Sequence, residues 1–305
     1  MAVSVKDIKA LMERTGVGMM DCKRALVETD GDAEKAIEIL REKGLATQAK
    51  KSGRAAAEGL VVAAVKGEVG VLLEVNTETD FAANTDDFKA FVNAVADVVI
   101  DQNPADVDAL KAAKTADGKT VDETLTELAG MKIRENIVIR RFVRLEGKLA
   151  SYVHNGGSIG VLVKLDTDLA TDAVAQVGKD VAMQSAALNP AYLDRTQVPA
   201  DVIENEKKIM LAQMAEDPKM ASKPDKVKEG IVAGKINKYY KENCLLEQAF
   251  VKDDKLSVQQ YVDAEAKKLG GSIVVADVVR FERGEGIEKK EENFADEIAS
   301  MVNKG

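Results

Sequence analysis

Two copies of one strand-forming pattern constrain this chain more than any other feature of its sequence. "GEVGVLLEVNTE" (67–78) matches "GSIGVLVKLDTD" (157–168) at a separation of 90 residues. The leading glycines and the alternating aliphatic residues after them predict a hairpin turn that leads into a strand. A second pair, "IVIRRFVRLEG" (137–147) and "IVVADVVRFER" (273–283), matches at a separation of 136 residues. Because a helical pattern follows the first block each time, we expect one sheet-plus-helix unit to occur twice.

The two separations differ, so the second unit holds 46 more residues than the first between its matched blocks. The natural place for them is about 199–243, where two charged segments with helical periodicity flank the turn "EDPKMASKPD". We expect an antiparallel coiled-coil hairpin that projects from the body and offers a surface for a homodimer. Its apolar positions are expected to be Val202, Ile203, Ile209, Met210 and Met214, then Val227, Ile231, Ile236 and Tyr239.

Three short helices are predicted before the repeat, with Asp32 as the N-cap of the third and Gly44 as its C-terminal stop. "ATQAKKSGRAAAEG" then has the composition of a basic linker of small residues, either irregular or partly helical. Near the C-terminus, Phe294 and Ile298 lie on the apolar face of an amphipathic helix that follows a glycine break.

These patterns predict an α+β fold with four parts. A helical bundle with its linker occupies 1–52, and the first core unit occupies 53–147. The second core unit, with its inserted hairpin, occupies 148–282, and a C-terminal module follows at 283–305.

Composition excludes several classes of function. A formal net charge of −9 over 305 residues argues against a large nucleic-acid footprint. Cys22 and Cys244 form no CxxC pair, and His154 is the only histidine, so neither a zinc site nor a histidine-based active site is indicated. The charged N-terminus is unlike a secretory signal, and no apolar run is long enough for a membrane helix. We expect a cytoplasmic protein that uses no metal or other cofactor.

"AKTADGKT" (113–120) fits a relaxed phosphate-loop pattern, which would make the protein a nucleotide-binding enzyme. A phosphate loop follows a buried strand, whereas this segment follows an acidic helical pattern and has one glycine. A polar turn between helices is therefore the favoured interpretation.

An isolated phenylalanine, Phe81, stands in the acidic segment "NTETDFAANTDD" (76–87). The carboxylates around it could form a metal site or an acid–base pair, although solvated charges explain such a cluster more simply. Phe81 either folds back onto its own helix or is presented to a partner as an anchor residue.

Met19 and Met20 pose a similar choice. Methionines usually fill gaps in a core, and we expect one of the pair to do so, but paired methionines on a small bundle also form a docking surface. Cys22 is expected in the core. His154 is expected to be an ordinary surface residue, with a partner contact as the alternative, and the C-terminal helix is expected to be either a lid or a docking element.

Taken together, "RTGVGMMDCKRAL", "EVNTETDFAAN", "GSIGVLV" and "RFERGEGIEK" resemble the bacterial translation elongation factor Ts family. The resemblance covers essentially the whole chain. It implies a ubiquitin-associated-like (UBA-like) N-terminal bundle and guanine nucleotide exchange on elongation factor Tu through protein contacts, without covalent chemistry or direct nucleotide binding.

The resemblance also implies roles for individual residues. The family's Thr-Asp-Phe-Val motif, which dislodges Mg²⁺ from the GTPase, corresponds to Thr79, Asp80, Phe81 and Ala82. Met19 and Met20 correspond to residues placed against the GTPase. His154, Phe294 and Ile298 are further candidates for partner contact. A plain adaptor that binds a partner without altering nucleotide release is the remaining alternative.

Overall fold

The computed structural model describes residues 3–288, which begin with a bundle of three helices. These are α1 (Val5–Thr15), α2 (Met19–Glu28) and α3 (Ala33–Lys51). As predicted, Asp32 is the N-cap of α3, because its side chain accepts hydrogen bonds from the Glu34 and Lys35 amides. The three helices pack around one apolar cluster that includes Cys22.

The predicted stop at Gly44 is wrong. Helix α3 continues to Lys51 through much of the expected linker, and Gly44 is buried within it. Gly44 packs against the first core unit, since a Cβ atom added to it would lie 3.0 Å from the Met131 side chain, and one added to Gly130 would lie 2.3 Å from the Gly44 carbonyl oxygen. Gly44 therefore permits a close approach to the first core unit, and it does not end the helix.

The first core unit is a three-stranded antiparallel sheet with helices on one face. Its elements are β1 (Glu58–Lys66), β2 (Val69–Thr77), α4 (Asp80–Ala83), α5 (Asp86–Gln102), α6 (Val107–Ala112), α7 (Val121–Glu127) and β3 (Val138–Glu146). A π-helical turn, Leu128–Lys132, follows α7 directly. The strand order is β1-β2-β3.

The second unit repeats this arrangement. Its elements are β4 (Lys148–His154), β5 (Ile159–Thr167), α8 (Thr171–Leu188), α9 (Ala200–Glu216), α10 (Pro218–Ala221), α11 (Asp225–Asn243), β6 (Ala249–Phe250), β7 (Asp253–Ser257), α12 (Val258–Leu269) and β8 (Ile273–Glu282). Its main sheet has the order β4-β5-β8, and β6 and β7 form a separate pair.

The duplication extends to irregular features of the backbone. A register shift between Glu74 and Val75 in β2 recurs 90 residues later, between Lys164 and Leu165 in β5. Helices α7 and α12 both begin with a capping box, formed by Thr120 with Glu123 and by Ser257 with Gln260, respectively. The match between the units therefore covers backbone geometry and capping as well as strand sequence.

The two sheets pack face to face, and the repeat glycines permit this packing. A Cβ atom on Gly70 would lie 3.0 Å from the Leu162 side chain, and one on Gly160 would lie 2.8 Å from the Leu72 side chain. Leu72 and Leu162 are themselves equivalent residues of the two units, so the contact is reciprocal. The outer face of each sheet is covered by its own helices, chiefly α5 on one side and α8 on the other. Four layers result, helix–sheet–sheet–helix.

The additional residues of the second unit include the expected helical pair, α9 and α11, which share an apolar cluster. The apolar face was predicted imperfectly, since Ile209 and Val227 are exposed whereas Val232 is buried. Both helices carry apolar residues on more than one face, so spacing alone did not select the buried one. Coiled-coil geometry and a homodimer contact stay predictions.

A buried carboxylate attaches the chain after β8 to the first sheet. Glu74 is fully buried and accepts hydrogen bonds from Arg140 (2.9 Å), Arg141 (2.6 Å) and the Gly284 amide (2.7 Å). Burial disfavours its ionisation, but these bonds and one from Asn76 outweigh that cost and hold the pKa of Glu74 below its ordinary value. The carboxylate thereby fixes where the C-terminal module begins.

The proposed C-terminal helix, with Phe294 and Ile298, lies outside the described residues. The expected domain limits at 52/53 and 147/148 fall between α3 and β1 and between β3 and β4, and the division itself stays a prediction. Across residues 3–288, none of the helices combines the length and apolar character needed to cross a bilayer.

Candidate partner-binding site

The segment that carries Phe81 exists in one unit only. The ends of β2 and β5, Thr77 and Thr167, are 90 residues apart, but the starts of α5 and α8, Asp86 and Thr171, are 85 apart. The first unit therefore has five additional residues at this point. They belong to a short protrusion, residues 78–85, which we call the tip and which contains α4.

Within the tip, one helical turn directs small residues inward and the aromatic ring outward. Thr79 caps the turn by accepting a hydrogen bond from the Ala82 amide at 3.2 Å. Ala82 and Ala83 are buried, and α4 packs on β1 and β2. Phe81 is 82% exposed, so it does not fold back onto its own helix. Ala82 and Ala83 thus anchor the turn to the first sheet while the Phe81 ring faces solvent.

Hydrogen bonds close the tip on its C-terminal side as well. The Asn84 amide group donates to the Asp80 carbonyl oxygen at 3.0 Å, and the Thr85 hydroxyl donates to the Ala82 carbonyl oxygen at 2.8 Å. Thr85 also caps α5 by accepting from the Phe88 amide. The Asp80 side chain is exposed beside the ring. The tip thus holds an exposed phenylalanine and an exposed carboxylate on a well-bonded backbone.

The interpretation of the surrounding carboxylates as solvated charges is wrong for Glu78. Its side chain accepts a hydrogen bond from the Asn136 amide at 2.7 Å and pairs with Arg54. Asp168, the equivalent residue of the second unit, accepts from the Ser272 amide at the same distance. Glu78 is therefore a structural residue of the repeat. Among the residues that the structure describes, no group of acidic, histidine or cysteine side chains is arranged to hold a metal ion.

The N-terminal bundle exposes a second apolar surface. Met19 is 48% exposed and Met20 is 64% exposed, so the expectation that one of them fills the core is wrong. They begin α2 after Gly18, while Cys22 and Leu26, one and two turns further along, supply the buried face. Cys22 is in the core as predicted. Both methionines therefore lie outside the buried face of α2.

A segment that sequence patterns did not single out connects the bundle with the tip. We call residues Gly130–Asn136 the junction segment. Its Met131 side chain lies in the apolar core of the bundle, and Arg134 pairs with Asp21, the residue after Met20. Glu135 accepts hydrogen bonds from the Thr79 hydroxyl and amide, at 2.7 and 3.0 Å. The only residue of the junction segment that could have drawn attention in the sequence is Gly130, because a glycine often marks a close approach of two backbones.

Two other candidates have ordinary structural explanations. His154 is exposed at the end of β4, where the Tyr152 hydroxyl lies 3.1 Å from its Nδ1 atom. The "AKTADGKT" segment follows helix α6 and forms a closed turn in which the Thr115 amide donates to the Lys119 carbonyl oxygen at 2.9 Å. The Lys119 ammonium group is paired with Glu127 at 2.5 Å. The turn thus lacks the strand that precedes a phosphate loop.

Comparison with known proteins places these features in a family. A family model described as "Elongation factor TS" matches residues 78–285, from the start of the tip to the segment held by Glu74. Proteins named elongation factor Ts from Clostridium botulinum (strain Eklund 17B) and Clostridium perfringens (strain SM101) are each 48% identical over 307 residues, which cover 99% of this chain and 100% of theirs. One of the same name from Trichlorobacter lovleyi is 49% identical over 313 residues, 99% of each chain.

Proposed function

Because the chain belongs to the elongation factor Ts family, we propose that it is the guanine nucleotide exchange factor for elongation factor Tu in translation elongation. The bacterial cytoplasm, where translation takes place, is its proposed location. The observation that supports this function best is Phe81, a large apolar ring that is 82% exposed on a hydrogen-bonded turn. An exposed aromatic residue on a rigid support has the properties of an interface anchor.

We propose that the tip acts as a wedge. Phe81 inserts between helices of the partner's nucleotide domain, and Asp80 disturbs the elements that support the bound Mg²⁺. That ion joins the GTPase to the β-phosphate, so its loss removes a large electrostatic contribution to GDP affinity. Thr79 caps the turn and Ala82 supports it, which makes these two residues the base of the wedge.

Exchange requires no covalent step. The factor binds the nucleotide-free GTPase more tightly than the loaded one, and by linkage the factor and the nucleotide weaken each other's binding by the same ratio. The protein is therefore proposed to bind neither nucleotide nor nucleic acid directly and to use no cofactor. The paired Lys119 in the closed turn supports this part of the proposal.

Further contacts are proposed for other parts of the chain. Met19 and Met20, exposed on the UBA-like bundle, are proposed to dock on the same GTPase. His154 is a candidate contact in the second unit, and Phe294 and Ile298 are candidates in the C-terminal module. Self-association through the α9–α11 hairpin also stays a proposal.

Release of fluorescent GDP from elongation factor Tu tests this function. The GTPase is loaded with labelled GDP, and its release into excess unlabelled GDP is followed with and without the protein. We expect strong acceleration by the protein and no binding of labelled GDP to the protein alone. Binding of the GTPase without acceleration would indicate an adaptor, and GDP binding to the chain itself would indicate a nucleotide-binding enzyme.

A further inference from the structure

We propose that the junction segment presents the tip and the Met19–Met20 surface to one partner molecule as a single rigid body. In this arrangement Glu135 is the positioning residue for the tip, and Arg134 attaches the bundle to the junction segment. The inference rests on the proposed exchange function and assigns roles to two residues that contact neither nucleotide nor metal.

Glu135 fixes the base of the tip through three hydrogen bonds. One carboxylate oxygen accepts from the Thr77 hydroxyl at 2.9 Å and from the Thr79 amide at 3.0 Å. The other accepts from the Thr79 hydroxyl at 2.7 Å. Thr79 is the N-cap of the turn that carries Phe81, so Glu135 sets the direction in which the ring points. A pre-ordered wedge enters its partner without first losing conformational entropy.

Arg134 attaches the same segment to the bundle. Its φ angle is 61°, in the left-handed region that side chains other than glycine seldom adopt, so the surrounding contacts must hold it there. Its guanidinium group pairs with Asp21, next to Met20. Hydrogen bonds from Arg24 and from Arg134 hold the pKa of Asp21 below its ordinary value.

Neighbouring residues reinforce this attachment. Met131 is part of the bundle core, and the Lys132 ammonium group pairs with Asp87 at the start of α5, at 3.1 Å. The Lys132 side chain also lies against Gly16, the C-cap of α1, where a Cβ atom would be 2.5 Å from its Cε atom. The junction segment thus contacts the bundle, the start of α5 and, through Glu135, the tip.

The two roles predict changes in different kinetic constants of the GDP-release assay. Glu135→Gln loosens the tip and should lower the maximal release rate about tenfold, because a small misplacement of a working group is costly. The concentration for half-maximal release should change by less than about twofold, since the contact surfaces remain. Arg134→Ala separates the two surfaces, so it should raise the half-maximal concentration about tenfold and leave the maximal rate nearly unchanged.

The chain offers a closely matched control pair, Arg195 with Glu247. Its two side chains are 53% and 22% exposed, the same values as for Arg134 and Asp21, and it lies far from the tip in sequence, beside the second unit's hairpin. Glu247→Gln and Arg195→Ala should leave both kinetic constants unchanged. Arg134→Lys, which keeps the charge, should restore part of the affinity lost in Arg134→Ala.

Hydrogen exchange of the protein alone gives a readout that does not need the partner. In Glu135→Gln, amide exchange in residues 77–84 should accelerate by at least about tenfold, while exchange in α12 stays unchanged. Thr77→Val, which removes one hydrogen bond to Glu135 and leaves the Thr79 cap in place, should accelerate exchange in the same residues if Glu135→Gln fails to fold.

The outcomes separate the inference from the function on which it rests. If the unaltered protein fails to accelerate GDP release, the proposed function is overturned and the inference falls with it. If the unaltered protein is active and Glu135→Gln matches it in rate and in amide exchange, the inference alone is overturned. Equal effects of Arg134→Ala and Arg195→Ala would likewise overturn the role of the junction segment.

Discussion

Gly160 lies so close to Leu72 that a Cβ atom at position 160 would stand 2.8 Å from the leucine Cδ1 atom. The glycine belongs to the second sheet and the leucine to the first, so the contact lies where the duplicated units meet. A Cβ there would also be 2.5 Å from the Val61 side chain. Each unit thus supplies a glycine that admits a leucine of the other.

Gly160→Ala is expected to destabilise the fold by about 1–3 kcal/mol, because overpacking a well-filled core displaces its neighbours. Chemical denaturation followed by circular dichroism measures the change. Gly230→Ala in α11 is the control, since a Cβ atom there meets nothing within 4 Å. That change should be neutral or slightly stabilising because alanine favours helix. Equal stability of the two variants would contradict the tight contact between the sheets.

Glu74→Gln should remove a pH-dependent part of the stability. The pKa of Glu74 is lowered in the folded protein, so its contribution is fully present above the unfolded-state pKa and is lost as the pH falls through the folded pKa. At neutral pH the variant should be less stable by about 3–5 kcal/mol, the usual cost of breaking a buried ion pair.

Free energies of unfolding measured from neutral to acid pH test the role of Glu74. The difference between the unaltered protein and the variant should shrink once the pH falls below the ordinary glutamate range. A difference that is constant with pH would show that Glu74 does not stabilise the fold as an ion.

Gly130→Ala should loosen the bundle from the first core unit. An added Cβ atom would lie 2.3 Å from the Gly44 carbonyl oxygen, and a backbone atom in a helix cannot move aside as a side chain can. Amide exchange in α3 should accelerate, whereas that in α8 should not. Gly53→Ala is the control, since its Cβ atom would meet nothing within 4 Å. Unchanged exchange in α3 would contradict the close packing of the two glycines.

Cys244 should resist alkylation in the folded protein. Burial, with the nearby Glu247 and Asp194 carboxylates, raises the pKa of its thiol to about 11, so almost no thiolate exists at pH 8. Mass spectrometry after iodoacetamide treatment should detect no modification at Cys244, and full modification in denaturant. Rapid labelling of the folded protein at pH 8 would contradict this burial.

Most of the fold could be predicted from the duplication, because strand periodicity and glycine positions are local properties of the sequence. The difference between the two repeat separations indicated an insertion, and helical periodicity placed it at about 199–243; α9 begins and α11 ends within one residue of those limits. The mixed helix and sheet composition was also predicted correctly. These features follow from patterns that each segment carries by itself.

Features that depend on distant contacts were missed. Gly44 was expected to end a helix because glycine commonly does so. It instead lies within α3 and packs against Gly130 of the first core unit. Glu78 has the appearance of a solvated charge, and its partner, the Asn136 amide, is 58 residues away. The role of Glu135 could not be predicted from the sequence either, because its partners are also distant along the chain. Exposure of Phe81 was one of two open alternatives, which the packing of Ala82 and Ala83 decides.

The most direct test of the wedge compares Phe81→Ala with the unaltered protein in GDP release from elongation factor Tu, once with Mg²⁺ and once with excess chelator. Phe81 is 82% exposed, so the variant should fold normally, and Leu211→Ala, which truncates a 47% exposed apolar side chain on the hairpin, is the control. If the ring acts by dislodging Mg²⁺, its removal should slow release about tenfold or more with Mg²⁺ and have little effect without it. Equal effects under both conditions, or no effect with Mg²⁺ present, would contradict the account.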